Sequence, residues 1–123
     1  MQWNIDSERP VYIQLLEHIQ ANIISGSFKP GDKLPSVRDL AAEAGVNPNT
    51  MQRALTELER MELIYTNRTS GRYITSDIGV IKKLKERSAM NIIEEFLDKM
   101  KKIGFNEEEI LELLTKALKE MRK

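Results

Sequence analysis

The first half of the chain repeats apolar residues at helical spacing in separate segments. The first segment begins at Pro10, which suits a first helical position because its missing N–H would be unpaired there, and it ends at Gly26. The second begins after Ser36, which suits an N-cap with Asp39 three residues later, and it ends at Gly45. The pattern therefore predicts two amphipathic helices, of which the second is short.

A third helix is predicted directly after the second, across a short connection. Asn47 suits its N-cap and Pro48 its first position. Its inward apolar stripe consists of Met51, Ala54, Leu55, Leu58 and Met61. Residues 44–47 form the connection and contain a glycine, so the second and third helices match the helix-turn-helix pattern.

Two short β-prone runs follow, Leu63–Thr66 and Arg72–Thr75. The polar segment between them, Asn67–Gly71, ends in glycine and indicates a hairpin with a five-residue loop. A hairpin directly after the second helix of a helix-turn-helix is a wing. We therefore predict a winged helix-turn-helix domain over residues 1–76.

Residues 77–123 contain no proline and are dense in charge. Their apolar spacing predicts one helix up to Gly104 and a second that Asn106 caps, with Glu109 three residues later. Two helices alone cannot bury this much apolar surface, so they must pack on the first domain, on a second copy, or on both. The predicted fold class is α+β: a winged helix-turn-helix domain followed by a two-helix C-terminal dimerisation hairpin.

Composition excludes several classes of protein. Lysine and arginine number 19, as do aspartate and glutamate, so the formal net charge is zero and a strongly basic, histone-like binder is excluded. The absence of cysteine excludes disulfide scaffolds, thiolate zinc sites and cysteine nucleophiles. The single histidine, His18, is expected to be a partly exposed helix residue. The sequence has no phosphate-binding loop or nucleophile motif, so we expect no cofactor, no metal and no enzyme activity.

Targeting and membrane signals are absent from the sequence. Its start lacks the basic and apolar regions of a signal peptide, and no apolar run approaches the roughly 18 residues of a spanning helix. We therefore expect a cytoplasmic protein without membrane contact.

The zero net charge conceals two acid-free segments. Residues 44–56 contain Arg53 and no acidic residue, and residues 65–76 contain Arg68 and Arg72 and no acidic residue. Phosphate binding requires surfaces without negative charge. The distribution therefore favours DNA contact by the third helix and the wing, although the wing arginines could be ordinary solubilising charges.

Two stretches are specific enough to identify a family. Pro-Gly-Asp-Lys-Leu-Pro-Ser-Val-Arg at residues 30–38 and Asn-Pro-Asn-Thr at residues 47–50 resemble the N-terminal domain of GntR-family transcriptional regulators. The similarity covers about residues 9–76, including the predicted wing. The short two-helix tail resembles the YtrA-type subfamily, which differs from subfamilies with a large effector domain.

The resemblance implies a set of DNA-contacting residues. Arg38, after Leu-Pro-Ser, would contact phosphate or bases; its alternative is an ion pair with Asp32, Asp39 or Glu43. The start of the third helix would enter the major groove with Asn47, Asn49, Thr50, Gln52 and Arg53. The wing would approach the minor groove with Arg68, Thr69, Ser70, Gly71 and Arg72. Arginine suits guanine O6 and N7, and asparagine or glutamine suits adenine N6 and N7.

Two positions depart from the family pattern. Asn47-Pro48 stands where many relatives carry Ser-Arg, so one guanine-reading arginine is absent, a swap typical of the YtrA-like group. Thr69-Ser70-Gly71-Arg72 stands where relatives often carry Gly-x-Gly-Thr. The first departure changes the expected operator, and the second changes the expected wing contacts.

The predicted function is sequence-specific regulation of transcription, with repression favoured over activation. A homodimer would bind double-stranded DNA at an inverted-repeat operator. The tail is too short for a separate ligand-binding domain, so a small-molecule effector would bind at the dimer interface or between the tail and the winged domain.

Two other functions stay open at the level of sequence. A winged helix can bind a protein partner instead of DNA, but the acid-free segment at residues 44–56 argues against this interpretation. The chain could also be a small structural or RNA-associated protein, against which the lack of exposed aromatic residues on a sheet face argues. Tyr12 and Trp3 resemble a base-stacking pair, but we expect Tyr12 to pack between the first helix and its neighbours and Trp3 to anchor the N-terminal segment.

Overall fold

The computed structural model describes residues 2–122. Its elements are α1 (Val11–Ser25), α2 (Val37–Ala44), α3 (Pro48–Arg60), β1 (Ile64–Asn67), β2 (Gly71–Ile74), α4 (Ile78–Ile103) and α5 (Glu107–Met121). These elements confirm the predicted α+β class. The chain divides into two compact units, one up to Lys85 and one from Glu86 onward, so the division lies within α4. Within the described residues, no helix is both long and apolar enough to cross a membrane.

The core of the first unit joins α1, α2 and α3 to the hairpin. Its fully buried large side chains are Leu15, Ile19, Leu40, Met51, Leu55, Leu58, Leu63 and Ile74. Val80, Ile81 and Leu84, from the start of α4, belong to the same cluster. Burying a side chain of this kind contributes about 1.5–3 kcal/mol, so the core fixes the position of α3 relative to the hairpin.

Two helix boundaries differ from the sequence prediction. Pro10 has extended backbone (ψ 132°) and is the N-cap of α1, so this helix begins one residue later than expected. Met61 is the C-cap of α3 and is 36% exposed, so it is not part of the inward stripe, which ends at Leu58.

Side-chain caps begin both α2 and α3, as predicted. Asp39 N donates a hydrogen bond to Ser36 Oγ at 3.1 Å, and Asn49 N donates one to Asn47 Oδ1 at 2.7 Å. Gly45 ends α2 with φ +71°, a conformation that favours glycine. The cap of α3 therefore places its first turn directly after the turn of the helix-turn-helix.

The hairpin has a tighter loop than predicted. Asn67 pairs with Gly71 across the strands, so the loop has three residues, 68–70, instead of five. Gly71 adopts φ +112°, and a positive φ is typical of the residue that closes a three-residue loop. Lys33, between α1 and α2, pairs with Tyr73 and so extends the sheet beside β2.

The second unit consists of the rest of α4 and of α5. Glu109 N donates to Asn106 Oδ1 at 2.9 Å and Asn106 N donates to Glu109 Oε1 at 3.0 Å, which is the predicted capping box. Ile110 is buried. The large apolar side chains that are exposed in this unit are Met90, Ile92, Ile93, Ile103, Leu111, Leu113, Leu114, Leu118 and Met121. Much of the predicted apolar stripe is therefore open to solvent in the single chain.

Candidate nucleic-acid interface

The start of α3 presents the predicted groove-contacting residues away from the core. α3 buries one face through side chains such as Met51 and Leu55. The predicted contact residues occupy its other side: Asn47, Asn49 and Arg53, which are exposed, and Thr50 and Gln52, which are half-buried. The helical period of 3.6 residues separates the two sets.

Arg53 is held against an aromatic ring. Its guanidinium carbon lies 3.7 Å from the ring centroid of Tyr12, at the start of α1, which is the geometry of a cation–π contact. Tyr12 is half-buried, in agreement with its expected packing role, but sequence reasoning missed its contact with Arg53. The ring restricts where the guanidinium can lie on this surface.

A shallow groove separates the start of α1 from the start of α3. It is lined by Pro10, Val11, Tyr12, Asn49, Thr50 and Arg53. The structure therefore brings three of the predicted contact residues to one open surface. Gln52, which precedes Arg53, donates from Nε2 to Thr56 Oγ1 at 3.3 Å, and this bond orients the Gln52 amide along the helix.

Arg38 is the second residue of α2, and its side chain is exposed. Asp32, one of its candidate partners, instead accepts a hydrogen bond from Lys29 N at 2.8 Å. Among residues 2–122, the Arg38 guanidinium makes no hydrogen bond or ion pair. Its charge is therefore available to an external anion.

The tip of the hairpin is ordered by its own side chains. Asn67 Oδ1 accepts hydrogen bonds from Thr69 N at 3.0 Å and from Thr69 Oγ1 at 2.9 Å. Tyr73 donates its hydroxyl to Ser70 Oγ at 2.8 Å. Arg68 lies between Asn67 and Thr69 in the chain and is exposed. The loop therefore presents one arginine at its tip on a constrained backbone.

Arg72 differs from Arg68 because it is turned towards α3. Arg72 Nε donates to Glu59 Oε1 at 2.9 Å, and the Thr66 hydroxyl donates to the same carboxylate. The Arg72 side chain is only 21% exposed. Sequence reasoning grouped Arg72 with Arg68 and overlooked Glu59. The missed signal is the two-residue period of a strand, which puts Arg72 on the same face as the buried Ile74.

A second shallow cleft lies between the start of α2 and the hairpin. It is lined by Lys33, Leu34, Pro35, Ser36, Val37, Asp39, Ser70, Gly71 and Arg72. A Cβ at Gly71 would lie 3.4 Å from Lys33 Cε, so the lysine stem passes close to the hairpin backbone. Sequence reasoning did not single out Lys33, because its place beside the hairpin depends on tertiary pairing.

The N-terminal segment is anchored on α1 as expected. The rings of Trp3 and His18 stack with centroids 4.1 Å apart. Burial lowers the pKa of His18 below its ordinary value, while Glu43 acts in the opposite direction. Within residues 2–122, the buried nitrogens Trp3 Nε1 and His18 Nε2 have no hydrogen-bond partner, and no cluster of three metal-ligating side chains occurs.

Known proteins resemble this chain over its winged helix and beyond. The family model described as bacterial regulatory proteins, gntR family, matches residues 11–74. The chain is 38% identical over 106 residues to the uncharacterized HTH-type transcriptional regulator YhcF of Bacillus subtilis (strain 168), which covers 86% of this chain and 88% of that protein. It is 39% identical over 94 residues to the HTH-type transcriptional repressor YtrA of the same organism, with 72% of each protein covered.

Solved structures give the same result. A GntR family transcriptional regulator from Listeria monocytogenes matches with a TM-score of 0.84 and 42% identity, covering 91% of this chain and 98% of that chain. The DNA-binding domain of AraR, solved in complex with operator ORE1, matches with a TM-score of 0.53 and 28% identity, covering 61% of this chain and 94% of that chain. The family model matches the winged helix, and a relative of nearly equal length matches most of the chain. The chain therefore belongs to the GntR family of bacterial helix-turn-helix transcriptional regulators.

Proposed function

We propose that the protein is a homodimeric repressor that binds an inverted-repeat operator through the start of α3. The observation that carries this proposal is the exposed face of Asn49 and Arg53, with Arg53 fixed on the Tyr12 ring. Arginine reads guanine and asparagine reads adenine in the major groove. Repression by occupancy of a promoter follows from operator binding alone, without enzyme chemistry, and would take place in the cytoplasm.

Backbone contacts would orient α3 on the duplex. Arg38 and Arg68 are exposed, and neither has a protein partner among the described residues. Such arginines suit phosphate oxygens, which position a protein without reading sequence. Ser70 and Gly71 lie beside Arg68 at the hairpin tip and would approach the same strand of DNA. Residues 1–76 would thus act as the DNA-binding domain.

Residues 77–123 would act as the dimerisation tail. Their exposed apolar side chains include Leu111, Leu114 and Leu118, which recur at one-turn and two-turn spacing on α5. Exposed apolar surface of this kind marks an interaction site. A two-fold dimer presents two copies of α3 to two half-sites, which accounts for an inverted repeat. A small effector would act by binding at this dimer interface and changing the spacing of the two copies of α3.

The test is titration of the purified protein onto DNA from upstream of its own gene, with a random duplex as control, at about 150 mM salt. We expect a footprint of two half-sites about one helical turn apart. Arg53→Ala should weaken operator binding by more than about tenfold, because a base-reading arginine contributes about 1–3 kcal/mol at each of the two half-sites.

Arg60→Ala is the matched control, because it removes the same charge from the far end of α3, where Arg60 is paired with Glu57 at 3.2 Å. It should leave operator affinity within about twofold. Equal, weak binding to both duplexes, followed by a random-sequence selection that yields no motif, would overturn the proposal in favour of a protein partner.

A further inference from the structure

The carboxylate of Glu59 joins the last turn of α3 to both strands of the hairpin. Thr66 in β1 and Arg72 in β2 are direct partners in the sheet register, and each donates to this carboxylate. Both lie on the face of the hairpin that also carries the buried Ile64 and Ile74. The Glu59 side chain therefore links α3 to a directly paired residue of each strand. This link lies outside the hydrophobic part of the contact between α3 and the hairpin.

The ion pair between Arg72 and Glu59 is sufficiently shielded from solvent to stabilise the contact between α3 and the hairpin. The Arg72 and Glu59 side chains are 21% and 34% exposed, and the Nε–Oε1 distance is 2.9 Å. A charge-assisted hydrogen bond of this length in a partly dry setting is stronger than an exposed ion pair. An Arg72 that moved to a phosphate would leave the Glu59 carboxylate half-buried without its counter-charge.

We propose that Glu59 is a positioning residue that sets the angle of the wing against α3. Its contacts with Thr66 and Arg72 form a brace between the helix and the hairpin, and Arg72 takes part in this brace instead of contacting DNA. The inference rests on the proposed function, and it assigns the wing contact to Arg68. With α3 seated in a groove, the angle of the hairpin decides whether Arg68, at its tip, reaches the neighbouring phosphates. Removal of the brace would therefore weaken DNA binding by changing the position of the hairpin, although the brace itself does not contact DNA.

Glu59→Gln and Glu57→Gln separate this role from a simple charge effect. Glu57 lies on the same helix, is also 34% exposed, and pairs with Arg60 at the surface. Both variants remove one negative charge from a DNA-binding surface, which by itself would tighten binding. We expect Glu59→Gln to weaken operator binding about fivefold and Glu57→Gln to leave it equal or tighter. Binding by Glu59→Gln that equals or exceeds the wild type would overturn the brace, because Arg72 would then be released to the DNA.

A charge reversal tests the same pair for rescue. Arg72→Glu should lose more than about tenfold in affinity, and the double variant Glu59→Arg with Arg72→Glu should return to within about threefold of wild type. An Arg72 that contacts phosphate cannot be rescued in this way. Absence of rescue would overturn the proposal.

Amide hydrogen exchange without DNA tests the brace apart from the proposed function. Exchange of the amides in residues 64–74 should be faster in Glu59→Gln than in wild type or Glu57→Gln, because the hairpin loses its tie to α3. Thr66→Val, which removes one of the two donors, should give a smaller increase and replaces Glu59→Gln if that variant does not fold. Unchanged exchange in the variants would overturn the brace, whereas a wild-type protein without sequence preference would overturn the proposed function alone.

Discussion

At the scale of single residues, aromatic rings set the positions of two charged or ionisable groups. Tyr12 lies under Arg53, and Trp3 lies against His18. Neither pairing is visible in the sequence, because the partners lie on different elements. The ring contacts matter for different reasons: one presents a cation to solvent, and the other withdraws an imidazole from it.

Tyr12→Leu should weaken operator binding about three- to tenfold, because it removes a cation–π contact of about 0.5–1 kcal/mol and releases Arg53 from its orientation. Tyr12→Phe keeps the ring and should bind within about twofold of wild type. The measurement is a pair of titrations, on the operator and on operators with one altered base pair, which also reveals lost discrimination. Equal losses for the two variants would show that the Tyr12 hydroxyl acts, and not the ring.

The stability of the protein should increase as the pH rises towards about 6.5, the ordinary pKa of histidine, because of His18. Burial lowers the pKa of His18 in the folded state, so the unfolded chain binds the proton more readily there. The contribution is complete above the unfolded pKa of about 6.5 and is lost as the pH falls from there towards the lowered folded pKa. His18 is the only histidine, so urea unfolding of wild type and His18→Phe at several pH values isolates the effect. An equally steep pH dependence in His18→Phe would contradict this assignment.

At the scale of elements, the helices were predictable and the details of the wing were not. Caps at Ser36, Asn47 and Asn106 depend on residues within three positions of each other, and local sequence therefore predicts them. Periodicity alone does not locate a helix end, so it extends the inward stripe of α3 past Leu58 to Met61, which is the C-cap. The polar composition predicts a five-residue loop in the hairpin because it does not reveal which residues pair across the strands.

The candidate interface divides in the same way. The start of α3 was predictable as an exposed surface, since the helical period and the acid-free segment both indicate it. The pairing of Arg72 with Glu59 was not, because it depends on which face of β2 meets α3. Charge counting treats every arginine of the wing alike, whereas Arg68 lies in the loop and Arg72 lies in β2, where the strand period puts it on the face of Ile74.

At the scale of the whole molecule, the apolar face of α5 is the feature that a single chain leaves unexplained. Leu111, Leu114, Leu118 and Met121 recur every three or four residues and are all exposed. The helical period therefore puts them on one face, with charged residues such as Glu120 on the other. We infer that this face is buried in the proposed homodimer, where each leucine would contribute about 1.5–3 kcal/mol.

Leu118→Glu should shift the protein from dimer to monomer and reduce operator binding with it. A charge placed in an apolar interface loses its hydration and has no partner there, so we expect the dimer dissociation constant to increase by about a hundredfold or more. Glu120→Lys, which changes the charge on the opposite, polar face of α5, is the matched control and should stay dimeric. Sedimentation equilibrium measures the dimer dissociation constant. Titration on the operator measures the accompanying loss of DNA affinity, because a monomer binds one half-site and makes no contact with the second. A dimer that persists in Leu118→Glu would move the interface to the winged helices. Operator binding that persists in a monomeric Leu118→Glu would show that one half-site is sufficient.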